Sequence, residues 1–251
     1  MKIAIITGAS AGLGLELLKN VSVCFPEIEE YWLIARRKDK LEEAEKLSDR
    51  PCRIIPLDLT LSESYAALEE TLAAEKPEIS LLINNSGCGY WGNVGDGKLE
   101  DQLRMIELNL RGLTAVTHIA IPYMKKGSRI INISSIASFC PNARMTVYSA
   151  TKSYVSAFTY GIAEELRAKG IRATAVCPGP MDTEFIYLGA IKGNSKTYDR
   201  LPFCKPDKVA KGALKAAKKG RMNYTPHPFY KLYKVLAKFL PVALVMKMSK
   251  T

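Results

Sequence analysis

Histidine is nearly missing from this chain: His118 and His227 are the only two in 251 residues. A histidine-based triad or zinc site has little to build on, so no metal is expected and metal-dependent alcohol oxidation is set aside. Cysteine is present but unpatterned. Cys24, Cys52, Cys88, Cys140, Cys177 and Cys204 form no CxxC pair, which speaks for reduced thiols in a cytoplasmic protein rather than a metal knuckle or disulfide framework. Long apolar runs are also lacking. The run that starts at residue 2 is far shorter than a signal-peptide core, and Val242 to Met246 is too short to span a bilayer. No internal repeat, low-complexity stretch or interdomain linker interrupts the chain. Acidic residues almost vanish from its last quarter: residues 192–251 hold 15 Lys and Arg against 2 acids, whereas residues 1–191 hold 21 against 23. The overall +11 is therefore confined to the C-terminal part. Nucleic acid fits poorly as a partner, since the surplus is local and no base-reading motif accompanies it.

What is present is an alternation of two periodicities. Apolar residues at 47% and charged residues at 24% are ordinary for a globular chain. Short β-branched runs predict strands near 2–7, 31–35, 53–57, 80–84, 129–134, 171–176 and, briefly, 222–225. Helices are predicted near 12–24, 38–48, 62–74, 98–123, 146–169 and 206–219, with another after 228. Strand and helix in turn predict an α/β fold: one doubly wound, mainly parallel sheet with helices on both faces.

Two motifs bring chemistry. The buried-strand pattern Lys2 to Ile6 leads into Thr7-Gly8-Ala9-Ser10-Ala11-Gly12-Leu13-Gly14 and then the helical pattern of Leu15, Leu17, Leu18 and Val21. Strand, glycine turn and helix let a phosphate approach free N–H groups at the positive end of a helix dipole; the alternative is a glycine-rich turn without ligand. Tyr148 and Lys152 lie four apart in Tyr148-Ser149-Ala150-Thr151-Lys152, so a helix sets an ammonium beside a phenol. A fixed positive charge lowers a phenol's pKa from about 10 by roughly 1–3 units, toward values useful for proton transfer. Such pairs are common on helix surfaces, and this one gains weight from its company.

TGASAGLG, followed by Asn84-Asn85-Ser86-Gly87, Asn109, Ser135, Tyr148xxxLys152 and Pro178-Gly179, resembles the short-chain dehydrogenase/reductase family over about residues 1–185, and more loosely to about 225. The resemblance implies a single Rossmann-type domain, a seven-stranded sheet in the order 3-2-1-4-5-6-7, a nicotinamide cofactor and hydride transfer at a carbonyl or alcohol carbon. It implies that Tyr148 is the acid in reduction and the base in oxidation, with Lys152 lowering its pKa and bonding the nicotinamide ribose. Ser135, thirteen residues before Tyr148, would polarise the substrate oxygen, while Ser134 would face the other way along a strand. Asn109 would kink a helix and hold a relay water. Gly8, Ser10, Gly12, Leu13 and Gly14 would form the phosphate turn, and Asp58 and Leu59 would frame the adenine. Asn85 would contact the cofactor, with Asn84 either doing so or bracing the sheet. Pro178 and Gly179 would flank the nicotinamide, and Thr183 would bond its carboxamide.

Ala35 stands where the family places the aspartate that holds a ribose 2′-hydroxyl, and Arg36 follows it. A missing carboxylate removes repulsion and a guanidinium grips a 2′-phosphate, so NADP(H) is the expected cofactor. The position before the second motif glycine, often basic in NADP users, is Ala11; Arg36, with Ser10 or Arg37, would supply the recognition. The alternative for Arg36 is a solvated basic cap.

Tyr90-Trp91, Phe139 to Met145 and Met181 to Phe203 should surround the nicotinamide. The last segment carries Phe185, Ile186, Tyr187, Leu188, Ile191, Tyr198 and Leu201, with Gly189 and Gly193 free to hinge. It is either a lid, about 181–204, over a lipophilic pocket or apolar surface packed on the domain. The expected activity interconverts a ketone and a secondary alcohol on a steroid, acyl chain or bulky ketone; the rival is a catalytically idle dinucleotide-binding redox sensor. The dehydrogenase domain is expected over 1–225 and a basic amphipathic extension over 226–251. There Phe229, Leu232, Tyr233, Leu236, Phe239 and Leu240 fall on one helical face and Lys231, Lys234 and Lys238 on the other. The domain itself or a second copy is the expected cover, with a membrane surface or an anionic carrier as alternatives. A homodimer through the helices carrying Asn109 and Tyr148 is expected ahead of a homotetramer.

Overall fold

The computed structural model describes residues 1–191 and 199–248. Alternating side chains decide the layers: in β1 (Lys2–Thr7), Ala4 and Ile6 enter one core and Ile3 and Ile5 the other. A strand buried on both faces reads as a continuous apolar run, which is how β1 reads. With β2 (Glu30–Ala35), β3 (Cys52–Pro56), β4 (Glu78–Asn84), β5 (Arg129–Ile133), β6 (Arg172–Val176) and β7 (Asn223–Tyr224) it forms one sheet in the order β3-β2-β1-β4-β5-β6-β7. Every pairing in it is parallel. Parallel neighbours need crossovers, and helices supply them: α1 (Gly12–Leu18), α2 (Val21–Cys24), α3 (Lys38–Glu45), α4 (Ser62–Glu75), α5 (Leu99–Ile106), α6 (Leu113–Ala120), α7 (Thr146–Glu165), α8 (Glu184–Leu188) and α9 (Pro206–Lys218). Leu13, Leu17 and Leu18 of α1 meet Val209, Ala213 and Leu214 of α9 on one face of the sheet. Leu68 and Leu72 of α4, Val116 and Ala120 of α6 and Ile162 of α7 cover the other. The strand order reverses between β1 and β4, so the loops after these two strands part and leave a crevice at the carboxyl edge.

Three elements depart from the sequence expectation. The helix expected over 12–24 is broken into α1 and α2, because the Asn20 side chain donates to the Glu16 carbonyl at 2.8 Å and its backbone N–H turns to Leu17. The helix expected over 98–123 contains a π-helical turn, Glu107–Gly112, between α5 and α6 and ends in a 3-10 turn at Ile121–Tyr123. Gly112 lies on the Leu59 carbonyl oxygen, which a Cβ would approach to 2.8 Å. The short helix α8 lies inside what reads as an irregular lid. Gly193 and Tyr198 of that lid fall outside the described residues.

The C-terminal helices α10 (Pro228–Phe239) and α11 (Val242–Met248) correct the expected amphipathic face. Tyr230 is the buried residue of α10, with Tyr233, Lys234, Leu236, Ala237 and Leu240 half-buried. Phe229, Leu232 and Phe239 are not covered by the domain itself: they are 49%, 59% and 77% exposed. Lys234, expected on the solvent side, turns inward over the Phe139 ring at 5.7 Å. The cause is Tyr230, whose ring fills the space left by the missing side chain of Gly179 and whose hydroxyl donates to Pro202 O at 2.8 Å. Seating that ring rotates the apolar stripe outward.

Asn84, buried at the end of β4, donates to Thr117 Oγ1 at 2.8 Å and Asn132 Oδ1 at 2.9 Å. It braces β4 against α6 and β5. Asn84→Ala should lower the free energy of unfolding by about 1–3 kcal/mol, since Asn132 Oδ1 loses its buried donor; urea denaturation measures this.

Candidate active site

The crevice is framed first by two turns that touch. Gly8 (φ +65°) and Gly12 (φ +53°) adopt left-handed backbone that side chains resist. Asn85, in the turn after β4, donates its side-chain amide to Thr7 O at 3.1 Å and Gly8 O at 3.0 Å. In return Thr7 Oγ1 accepts from the backbone N–H groups of Asn85 and Ser86, both at 3.0 Å. Asn85 thus lines the crevice while acting as the clamp between its walls.

A cavity of about 520 Å³ runs from Arg36 and Asp58 past the glycine turn to Ser135, Tyr148 and Lys152. Ser10, Gly12, Leu13, Leu59, Pro178, Gly179 and Thr183 also line it. Gly14 lies behind the turn, where a Cβ would stand 2.0 Å from the Gly8 carbonyl oxygen. Thr183 stands against Gly12, whose Cβ would meet it at 3.3 Å. At the open end, the Arg36 guanidinium lies 3.8 Å from the Asp58 carboxylate and remains 57% exposed. Asp58 Oδ1 is held by the backbone and hydroxyl of Thr60. Arg37, offered from sequence as an alternative to Ser10 beside Arg36, donates two hydrogen bonds to Glu184 of α8, at 2.9 and 2.8 Å. The residues fit a dinucleotide phosphate: a glycine cradle that a Cβ would fill, an exposed guanidinium, and Ala35 rather than a carboxylate at the end of β2.

At the inner end, α7 carries Tyr148 and Lys152 to the end of β5, where Ser135 sits in extended backbone. All three are buried. Ser135 Oγ accepts from Ala137 N at 3.1 Å, and Ser135 lines the same cavity as Tyr148. Ser134 points away and donates to the Lys152 carbonyl. Lys152 Nζ lies 5.7 Å from the centre of the Tyr148 ring and donates to Ile133 O at 2.9 Å. Asn109, turned inward by the π-helical turn, accepts from Cys88 N and donates to Cys88 O, both at 2.9 Å, and donates to Thr151 Oγ1 at 3.0 Å. Its amide therefore fixes the loop after β4 to α7.

Burial governs both titrating groups. It pushes the Tyr148 phenol up to about 12, with the Ser135 hydrogen bond pulling the other way. It holds the Lys152 ammonium down to about 8. The expected depression of the phenol by Lys152 is absent from the structure. Desolvation is the largest influence on the phenol, and burial also holds the Lys152 ammonium down. The Cys88 thiol beside them is pushed up to about 11, again by burial, and stays neutral.

Sequence spacing missed three contacts. Phe185 of α8 packs on the Tyr148 ring at 5.8 Å, and both rings close over Gly89, where a Cβ would clash with each. Glu184 ties α8 to Arg37 across 147 positions. Tyr230 supports the Gly179 turn from behind. Gly89 and Gly179 hint at two of these contacts, because each marks a close approach without naming its partner.

Residues 2–187 match the family described as short chain dehydrogenase. An uncharacterized oxidoreductase of Staphylococcus aureus is 31% identical over 185 residues, covering 72% of this chain and 79% of that protein. One from Staphylococcus epidermidis is 29% identical over 184 residues with the same 72% and 79% coverage. A short-chain dehydrogenase from Sphingobium yanoikuyae, solved in complex with NADPH, superposes with a TM-score of 0.79 at 25% identity, over 96% of this chain and 97% of that one.

The buried ammonium has a measurable consequence. Its pKa of about 8 lies below the ordinary 10.5, so the unfolded chain binds more protons between those values and stability rises with pH through that window. Lys152→Met removes this dependence. The Tm of the variant minus that of wild type should therefore fall as the pH is raised from 8 to 10.5, read by differential scanning fluorimetry. A difference that does not change with pH would contradict the burial of the charge.

Proposed function

Since this chain belongs to the short-chain dehydrogenase family, and is thus an oxidoreductase binding a nicotinamide dinucleotide, we propose that it uses NADP(H) to interconvert a ketone and a secondary alcohol on a lipophilic substrate. The observation that carries the reading is the single cavity joining the Arg36 end to the Ser135, Tyr148 and Lys152 end. NADP(H) bound there would supply or take up the hydride. Tyr148, protonated across the physiological range with a pKa near 12, gives its hydroxyl proton to the carbonyl oxygen in reduction and must take it back in oxidation. Ser135 donates a hydrogen bond to the same oxygen and polarises it. Lys152, which lines the cavity, bonds the ribose. Asn109 holds the Cys88 loop, and with it the cavity wall, in place.

NADP(H) rather than NAD(H) is supported by Arg36 without a β2 carboxylate and by the NADPH bound to the Sphingobium relative. Gly8, Gly12 and Gly14 with Ser10 and Leu13 would hold the phosphates, Asp58 and Leu59 the adenine end, and Pro178, Gly179 and Thr183 the nicotinamide end. A lipophilic substrate is supported by Phe185, Ile186, Leu188, Ile191 and Leu201, which line the cavity from the lid segment. On the outer surface, Leu99, Leu103 and Ile106 of α5 and Tyr154 of α7 are exposed. Their spacing along α5 makes one apolar stripe, which supports a homodimer through these helices.

Tyr148→Phe should reduce turnover by about 10²–10⁴-fold while leaving NADPH binding intact, because only the proton donor is removed. Lys152→Ala should weaken both. NADPH absorbance followed across ketones, steroids and acyl thioesters finds the substrate, and near-normal turnover by Tyr148→Phe on it would sink the mechanism. Ala35→Asp with Arg36→Ile should shift the kcat/KM ratio from NADP toward NAD. A wild-type enzyme that already prefers NAD would defeat the role given to Arg36.

A further inference from the structure

The outward face of the C-terminal helices takes no part in the chemistry above. Phe229, Leu232, Val235 and Phe239 recur every three or four residues along α10 and are all exposed, so they share one face. Val242 and Leu244, beyond Pro241 in α11, are exposed as well. Large apolar side chains grouped in this way mark a contact surface.

Charge narrows the choice of occupant. Lys231, Lys238 and Lys247 are exposed on the same two helices, and no acidic residue follows Asp207 in the chain. A second copy seated face to face would bring one lysine-rich, acid-free surface against another, with like charges opposed. The chain also offers an apolar stripe on α5 for self-association. An anionic lipid surface satisfies both parts of the α10 face: acyl chains receive the apolar side chains and headgroups pair with the lysines. The helices, of 12 and 7 residues, suit lying in an interface, and among the described residues no helix is long and apolar enough to cross a membrane.

We propose that α10 and α11 dock this protein on an anionic membrane surface. The buried side of the same helix supports the substrate end of the crevice: Tyr230 packs under Gly179, and Tyr233 lies 6.1 Å from Phe139. Docking therefore holds that end of the enzyme beside the lipid phase, where a lipophilic substrate is concentrated. The docking itself does not depend on the substrate assignment.

The test uses the full chain with sedimented vesicles of phosphatidylcholine, alone or mixed with phosphatidylglycerol. Wild type should bind the mixed vesicles and not the neutral ones, and should be released by salt of about 0.5 M. Leu232→Asp with Phe239→Asp should weaken binding at least about tenfold, and Lys231→Gln with Lys238→Gln should lower it and its salt sensitivity. These side chains are exposed, so the melting temperature should not move. Phe239→Trp gives an independent reading: its emission should shift to the blue on mixed vesicles. Absence of vesicle binding, or binding unchanged by the double Asp substitution, overturns the proposal. So does a wild-type dimer, seen by light scattering, that the double Asp substitution splits, because the face would then belong to a second copy.

Discussion

A methyl group on Gly14 would stand 2.0 Å from the Gly8 carbonyl oxygen, and Asn85 seals the same turn by donating to both the Thr7 and the Gly8 carbonyls. This closure fixes α1 to β1 and β1 to the turn after β4, at the point where the strand order reverses. The rest of the site is hung from it. Gly87, one turn away, leaves room for Asn109 Oδ1 and Lys152 Nζ, which a Cβ there would meet at 3.1 and 3.4 Å. The glycine turn and the Tyr148–Lys152 end of the crevice are thus held in one frame, the alignment that the proposed reaction needs.

The inner end of the crevice carries a cost. A phenol and an ammonium, both buried, are each pushed toward the neutral form. The ammonium is relieved by the Ile133 carbonyl and the phenol by Ser135. Phe185 excludes water from the ring side of Tyr148. Such surroundings suit the proton donor proposed for Tyr148, and they make helix α8 part of the electrostatics of the site. The Arg37–Glu184 pair that ties α8 to the end of β2 is half-exposed and worth at most about 1 kcal/mol.

The C-terminal helix serves two surfaces at once. Tyr230 and Tyr233 look inward to Gly179 and Phe139, while Phe229, Leu232 and Phe239 look outward. One apolar stripe cannot face both ways, so a strongly apolar helix divides its large side chains between the domain and whatever lies beyond it.

Strand positions and sheet direction follow from periodicity, and the pairing of Tyr148 with Lys152 from an interval along one helix, which are local properties; the place of Ser135 beside them was implied by the family resemblance. The glycines announced close approach for the same reason: a residue without Cβ restricts its own backbone least. What occupies the space beside each glycine was decided only by folding. Tyr230 against Gly179, Phe185 against Gly89 and Glu184 against Arg37 join positions far apart in the chain, and no spacing rule reaches across a crossover. Protonation belongs to the same class. The sequence set a lysine beside a tyrosine and suggested a depressed phenol, but the depth of burial is a property of the packed whole, and it raised the phenol instead. The rotation of α10 was likewise fixed by one tyrosine fitting one gap. Local pattern determined which elements form and which chemistry they carry; tertiary packing decided which faces meet, because desolvation and contact depend on residues the local sequence does not contain.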